Sequence, residues 1–148
     1  MDDIDLAILK YLSVNSRAHS TDIAKELGVA TSTIHKRISK LLENKVIESF
    51  TITIDPLKIG LNVTIYLGIN IDPDKRINII NKLKKMDDVL EIHEILEPYD
   101  LFVKVRTFDI NTLKNVLQKI NRMDGVIGTN SILTTKKHKE TPCNIFKR

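Results

Sequence analysis

The sequence predicts an α+β chain in two parts, three short helices followed by a β-α-β-β-α-β run. Three observations predict it. Apolar residues recur three and four apart in successive stretches before residue 45, the period of helices with one buried face. From Val63 the pattern changes to strict alternation, with Val63, Ile65, Leu67, Ile69 and Ile71 set between Thr64, Tyr66, Gly68 and Asn70, the period of a strand. Between the two lies Asp55-Pro56-Leu57-Lys58-Ile59-Gly60, whose proline and glycine mark a linker.

Ile4, Ile8, Leu9 and Leu12 place the first helix over residues 2–14, with acids in its first turn that suit the helix dipole. Ser20 or Thr21 is placed to cap a second helix ending at Leu27, with Ile23, Ala24 and Leu27 inward. Gly28 suits the left-handed conformation that closes a helix. The third helix covers residues 31–44 on a stripe of Ile34, Ile38, Leu41 and Leu42, and the β-branched alternation of 46–54 predicts a strand or wing. After the linker, the first strand is followed by a helix opening at Asp72-Pro73, with Ile77, Ile80 and Leu83 inward. Strands at 89–96 and 101–107 flank a turn at Glu97-Pro98-Tyr99-Asp100 and form a hairpin. Asp109 opens a helix striped with Leu113, Val116, Leu117, Ile120 and Met123, and the last strand covers 126–135. This order is the ferredoxin-like split βαβ arrangement. Its helices cover one sheet face and leave the other bare, which predicts an apolar surface that pairs with a second copy. The expected divisions are 1–50, a linking strand or hinge at 51–61, a sheet domain at 62–135 and a basic tail at 136–148.

The chain has 148 residues, 42% hydrophobic and 28% charged, ordinary for a globular protein. No apolar run reaches the length of a membrane span, and the acidic start, Met-Asp-Asp-Ile-Asp, is unlike a signal peptide. A cytoplasmic chain without membrane contact is expected. The single cysteine, Cys143, rules out an internal disulfide and cysteine-based metal sites. It is expected to be inert. With no histidine–carboxylate cluster at ligand spacing and no glycine-rich phosphate loop, neither metal nor cofactor is expected. The absence of Trp and 5% aromatics argue against a platform that stacks single-stranded bases.

The net charge of +4 lies in the tail: residues 1–60 carry eight cations and eight anions, residues 61–135 carry ten of each, and 136–148 carry five cations against one anion. The tail cations Lys136, Lys137, Lys139, Lys147 and Arg148 read as a solvated end. A more local cluster matters more: Lys36, Arg37, Lys40 and Lys45 stand against Glu43 alone between residues 30 and 45. A short helix, a glycine-containing turn and a second helix with a small, polar, basic outer face make a helix-turn-helix. Its second helix enters a major groove about 12 Å wide, so residues near its N-terminus must be small or hydrogen-bonding. Ser32, Thr33, His35 and Lys36 satisfy this and are expected to face bases. Arg17, Thr31, Arg37 and Lys40 are expected to hold phosphates.

In order and spacing the motifs resemble the Lrp/AsnC (leucine-responsive, feast/famine) transcription regulators over nearly the whole chain. The resemblance is carried by Asp2-Asp3-Ile4-Asp5-Leu6-Ala7-Ile8-Leu9, Ser16-Arg17, Asp22 to Val29 with Ser32 to Ile38, Val46-Ile47, Ile54 to Gly60, and Tyr99-Asp100. It implies a winged helix-turn-helix, a linking strand, a βαββαβ ligand-response domain, dimers that often build octamers, and control by an amino acid or related molecule. It further implies an effector loop at Glu97, Tyr99 and Asp100. Three positions depart from the family pattern: Ala30 for a capping Ser, Lys45 for a Gly, and Glu97-Pro98 for Gly-x. Glu97 adds a negative charge to that loop, which favours a cationic effector such as lysine or arginine. Two alternatives keep the same architecture: an enzyme similar to sirohaem decarboxylases, with His93 held by Glu91 and Glu94, or an amino-acid sensor that does not bind DNA.

Overall fold

The structure, a computed structural model, describes residues 1–141. Cys143, Lys147 and Arg148 lie outside the described residues. The chain divides into two compact units, one built on Met1–Thr53 and one on Ile54–His138.

The first unit contains α1 (Asp3–Val14), α2 (Ser20–Leu27) and α3 (Thr31–Glu43). Ile8, Ile23, Ala24, Ile34 and Leu41 form its buried centre, ringed by Ile4, Leu9, Leu12, Leu27, Ile38 and Ile47 among others. The three apolar stripes therefore converge as their spacing predicts. Asp2 caps α1 in a reciprocal box: the Asp5 N–H donates to Asp2 Oδ1 and the Asp2 N–H to Asp5 Oδ2, both at 3.0 Å. Two of the helix's orphan donors are satisfied this way. At α2 the cap differs from expectation. His19 holds that position without a side-chain bond, and Ser20 is already helical. Gly28 closes α2 at φ 66°.

Ala30 is the N-cap of α3 and offers no side-chain acceptor, and Thr31 lies one residue too far on to replace it. At the other end Lys45 adopts φ 56°. The Val46 N–H donates to the Leu41 carbonyl at 2.9 Å and the Lys45 N–H to that of Leu42 at 3.0 Å, the bond pair of a Schellman closure. A side chain in the left-handed region costs about 1–2 kcal/mol, partly offset by the unfolded-state entropy of glycine. Lys45→Gly is therefore expected to stabilise the first unit by about 0.5–1 kcal/mol, read as a raised thermal midpoint. A lowered midpoint would mean that the lysine side chain itself holds the turn.

Residues 46–54 form no strand. Ile47 is drawn into the first core, but Phe50, Ile52 and Ile54 are exposed. β-Branched sequence supplies propensity, while a ladder needs a neighbouring strand to receive its N–H and carbonyl groups. Among the described residues none is provided here.

The second unit opens with a 3₁₀ turn, Pro56–Ile59, capped by Asp55 and closed by Gly60 at φ 85°. The expected linker is thus partly structured, with Pro56 buried. Then follow β1 (Val63–Ile71), α4 (Arg76–Leu83), β2 (Val89–Glu94), β3 (Leu101–Thr107), α5 (Ile110–Asn121) and β4 (Val126–Leu133). The sheet order is β2-β3-β1-β4 and every pairing is antiparallel, the ferredoxin-like order. Ile65, Leu67, Ile69 and Ile71 of β1 and Leu101, Val103 and Val105 of β3 pack on Ile79, Leu83, Leu113, Val116 and Ile120 of the two helices. Asp109 caps α5 through the Thr112 N–H at 2.7 Å. Of the stripe expected on α4, Leu83 is buried and Ile80 packs against the core, while Ile77 is replaced by Ile79. Pro73–Lys75 is a 3₁₀ turn, which winds three residues per turn rather than 3.6, so Ile79 is buried and Ile77 stays 76% exposed.

Candidate functional site

Along α3, Ser32, His35, Lys36, Ser39, Lys40 and Glu43 are exposed, while Ile34 and Leu41 are buried and Thr31, Thr33, Arg37 and Ile38 are intermediate. At 3.6 residues per turn the exposed positions form one continuous arc. Three of the four residues expected to face bases (Ser32, His35 and Lys36) lie on it, and Thr33 borders it. Lys36 and Lys40 form no ion pair among the described residues. Arg17 is exposed in the turn between α1 and α2, where its N–H donates to Asn15 Oδ1 at 3.0 Å. With Asn15, Ala18, His19 and Asp22 it lines a shallow depression.

Arg37 is placed differently from the other cations. It lies on the flank of α3, its side chain 27% exposed, and its Nη1 sits 2.7 Å from Asp2 Oδ1 and 2.8 Å from Asp5 Oδ1. The same nitrogen is 2.8 Å from Asp2 Oδ2. The guanidinium holds the Asp2 carboxyl below its usual range. At Asp5 burial pushes upward, but the Asp2 N–H and Arg37 together outweigh it and lower the value. Sequence spacing puts position 37 near a basic face, whereas the two carboxylates turn the side chain back towards α1. The signal was present in the sequence as Asp2 and Asp5 three residues apart, but their distance from Arg37 is set by tertiary packing.

In the second unit the loop at Glu97, Tyr99 and Asp100 is fastened to the sheet. Asp100 Oδ2 accepts the Ile71 N–H at 2.8 Å, and the Asp100 N–H donates to the Ile69 carbonyl at 3.0 Å. The Tyr99 ring lies against Gly68, where a Cβ would collide with it, and its hydroxyl accepts from Asn130 Nδ2 at 2.9 Å. Asp100 therefore serves the strand, while Glu97 is exposed. Sequence reasoning missed Gly68 and Asn130 as the seat of Tyr99. Gly68 alternates like any outward strand position, and only its missing side chain marked it.

The sheet face opposite the helices is less apolar than expected. Tyr66 and Phe102 stack there at 5.5 Å, and Ile132 is half exposed. Polar groups share the face: Lys104 Nζ meets Glu91 Oε1 at 2.9 Å, His93 Nε2 lies 3.5 Å from Glu91 Oε2, and Arg106 Nε donates to Thr64 Oγ1 at 3.0 Å. Lys104 above all, then His93, holds the Glu91 carboxyl below its usual range. Glu94 pairs with Arg76 instead, so His93 has one carboxylate beside it rather than the two expected. Among the described residues no group of three His, Cys, Asp or Glu side chains could hold a metal ion, and no helix is long and apolar enough to cross a membrane.

Residues 1–42 match the AsnC-type helix-turn-helix domain and residues 64–143 the Lrp/AsnC ligand binding domain. The HTH-type transcriptional regulator FL11 of Pyrococcus furiosus is 36% identical over 141 residues, 95% of this chain and 93% of its own length. The chain belongs to the Lrp/AsnC family. A second relative, the HTH-type transcriptional regulator Ptr1 of Methanocaldococcus jannaschii, is 33% identical over 95% of each chain. Among solved structures, AsnC of E. coli superposes with a TM-score of 0.89 at 28% identity, covering 97% of both chains. A transcriptional regulator of Neisseria meningitidis in complex with L-Met shares the fold, with a TM-score of 0.87 at 20% identity. As an Lrp/AsnC member the protein is a transcriptional regulator that joins a DNA-binding unit to a ligand-binding unit.

Proposed function

We propose that the protein is a cytoplasmic, sequence-specific regulator that binds double-stranded DNA as a homodimer and answers to an amino acid. The observation that carries the DNA reading is the exposed arc of α3, small and polar near its N-terminus and basic through Lys36 and Lys40. Ser32, Thr33, His35 and Lys36 face base edges in the major groove, and Arg17, Thr31 and Lys40 hold phosphates. The dimer forms through the outer sheet face around Tyr66, Phe102 and Ile132, and dimers assemble further, up to octamers. Two recognition helices then read the half-sites of a pseudo-palindrome.

The effector binds near Glu97 and Tyr99, with Asp100 holding the loop in place. The ligand-binding family of the second unit supports an amino acid, as does the L-Met complex of the Neisseria regulator, which describes that protein alone. The exposed Glu97 carboxylate favours a cationic side chain such as lysine or arginine. An effector shifts DNA geometry or assembly only by the difference in its affinity for the two states. No catalytic step is assigned to the protein.

The deciding experiment is selection of genomic fragments by the purified protein at about 150 mM salt with excess nonspecific competitor. Enrichment of a short pseudo-palindrome is expected, and failure to enrich any fragment would sink the DNA reading. On the selected site, Thr33→Ala and Lys36→Ala are each expected to cost about 1–3 kcal/mol and to relax preference at one base pair. Equal loss on every sequence would remove them from base contact.

A further inference from the structure

Asp2 and Asp5 are not loose surface acids. Each accepts the other's backbone N–H in the capping box, so both carboxylates are fixed before Arg37 reaches them. One guanidinium nitrogen then meets three of their oxygens at 2.7–2.8 Å. Asp5 is the more enclosed partner, its side chain 16% exposed. The cluster holds two negative charges and one positive. A phosphate approaching Arg37 Nη1 would meet those carboxylates at the same distance and be repelled by them. Lys36 and Lys40, on the exposed arc of the same helix, have no carboxylate in ion-pair contact among the described residues.

Position 37 also lies on the flank of the helix. It stands between the buried line of Ile34 and Leu41 and the exposed arc of Ser32, Lys36 and Lys40. The apolar contacts of Ile34, Ile38 and Leu41 hold α3 on the core. A charge-assisted hydrogen bond at the flank is directional.

We propose that Arg37 is a positioning residue: it ties α3 to the capping box of α1 through Asp2 and Asp5, sets the angle at which the exposed arc is presented, and makes no phosphate contact. The proposal rests on the reading of α3 as the DNA-binding helix.

The test uses the full chain and its selected DNA fragment, at a temperature where far-ultraviolet dichroism shows every variant folded. Arg37→Gln, the pair Asp2→Asn with Asp5→Asn, and the triple variant are compared over a range of salt. Arg37→Gln is expected to weaken binding about threefold or more, the scale of coupling within one ion-pair network, with an unchanged slope of log affinity against log salt. The two-aspartate variant is expected to lose the same amount, and the triple variant no more than either. A slope reduced by about 0.9 for Arg37→Gln, with tighter binding when the aspartates are neutralised, would make Arg37 a phosphate ligand and overturn the proposal. Unchanged affinity with only a lowered thermal midpoint would overturn it too, leaving a structural tie. Absence of specific binding by the unsubstituted protein is seen before any variant is made. It overturns the DNA reading and the positioning role together, and the tie alone would survive as non-additive shifts in thermal midpoint.

Discussion

Ile34→Ala is expected to unfold the helical unit and abolish DNA binding while the sheet unit stays folded. Ile34 is fully buried, and its neighbours Ile8, Ile23 and Leu41 are no more than 5% exposed. Removing a buried isoleucine side chain down to its Cβ costs about 2–5 kcal/mol, through lost burial and the cavity left behind. A unit of this size draws only about 3–5 kcal/mol from one core, so a single substitution can consume all of it. The sheet unit has its own core of twelve buried residues on two helices and two strands. Amide exchange is the measurement. Protection should vanish from α1, α2 and α3 and persist in β1 and β3. Ile77→Ala is the control, because that side chain is 76% exposed and should change nothing. Retained DNA binding by Ile34→Ala would show that the helical unit has more stability than one small core explains.

The second large effect is expected at Gly68. A methyl group there would strike the Tyr99 ring at Cγ as well as at its far edge, so a swing of the ring tip does not relieve it. The ring must leave the strand and give up its bond to Asn130. Gly68→Ala is expected to cost about 1–3 kcal/mol, the range for overpacking a close contact. Exchange should rise over residues 95–100 before it rises anywhere else in the sheet unit. Tyr99→Ala should open the same loop without the collision, and the double variant should be no worse than either single one. A fully additive double variant would show that Gly68 and Tyr99 act separately.

These expectations differ in how far the sequence alone supports them. The stripes of α1, α3 and α5, the span of β1 and the Asp109 cap were legible, because each rests on periodicity or on a bond within three residues. The strand expected at 46–54 was not realised, since propensity cannot supply a neighbouring ladder. On α4, Ile80 and Leu83 were legible as inward, but Ile77 was misread for Ile79 because the 3₁₀ turn at Pro73–Lys75 changes where the α-helical winding begins, and proline there reads equally well as the start of an α-helix. The exposed arc of α3 was legible as a pattern of small and basic residues. The tie of Arg37 to Asp2 and Asp5 was not legible, because those partners lie more than thirty positions away. Asp100 fits the loop motif, but its bond to Ile71 arises only once β1 and β3 are paired. The outer sheet face was read as apolar from alternation, which did not foresee the Glu91–Lys104 pair formed across β2 and β3.

Neither core buries an aromatic ring: the buried members of both clusters are isoleucine, leucine, valine or alanine. The chain has no Trp. Tyr66 and Tyr99 sit on the outer sheet face, and Tyr11 at the rim of the helical core. The aromatic optical signals of this protein therefore report its surfaces rather than its interior. Tyrosine emission will follow the helical core only through Tyr11 at its rim, and the sheet core, which holds no tyrosine among its buried residues, must be followed in the peptide bands. With Tyr11→Phe in place, a change in tyrosine emission on concentrating the protein, or on adding a small molecule, will mark events at the outer sheet face, with no label introduced.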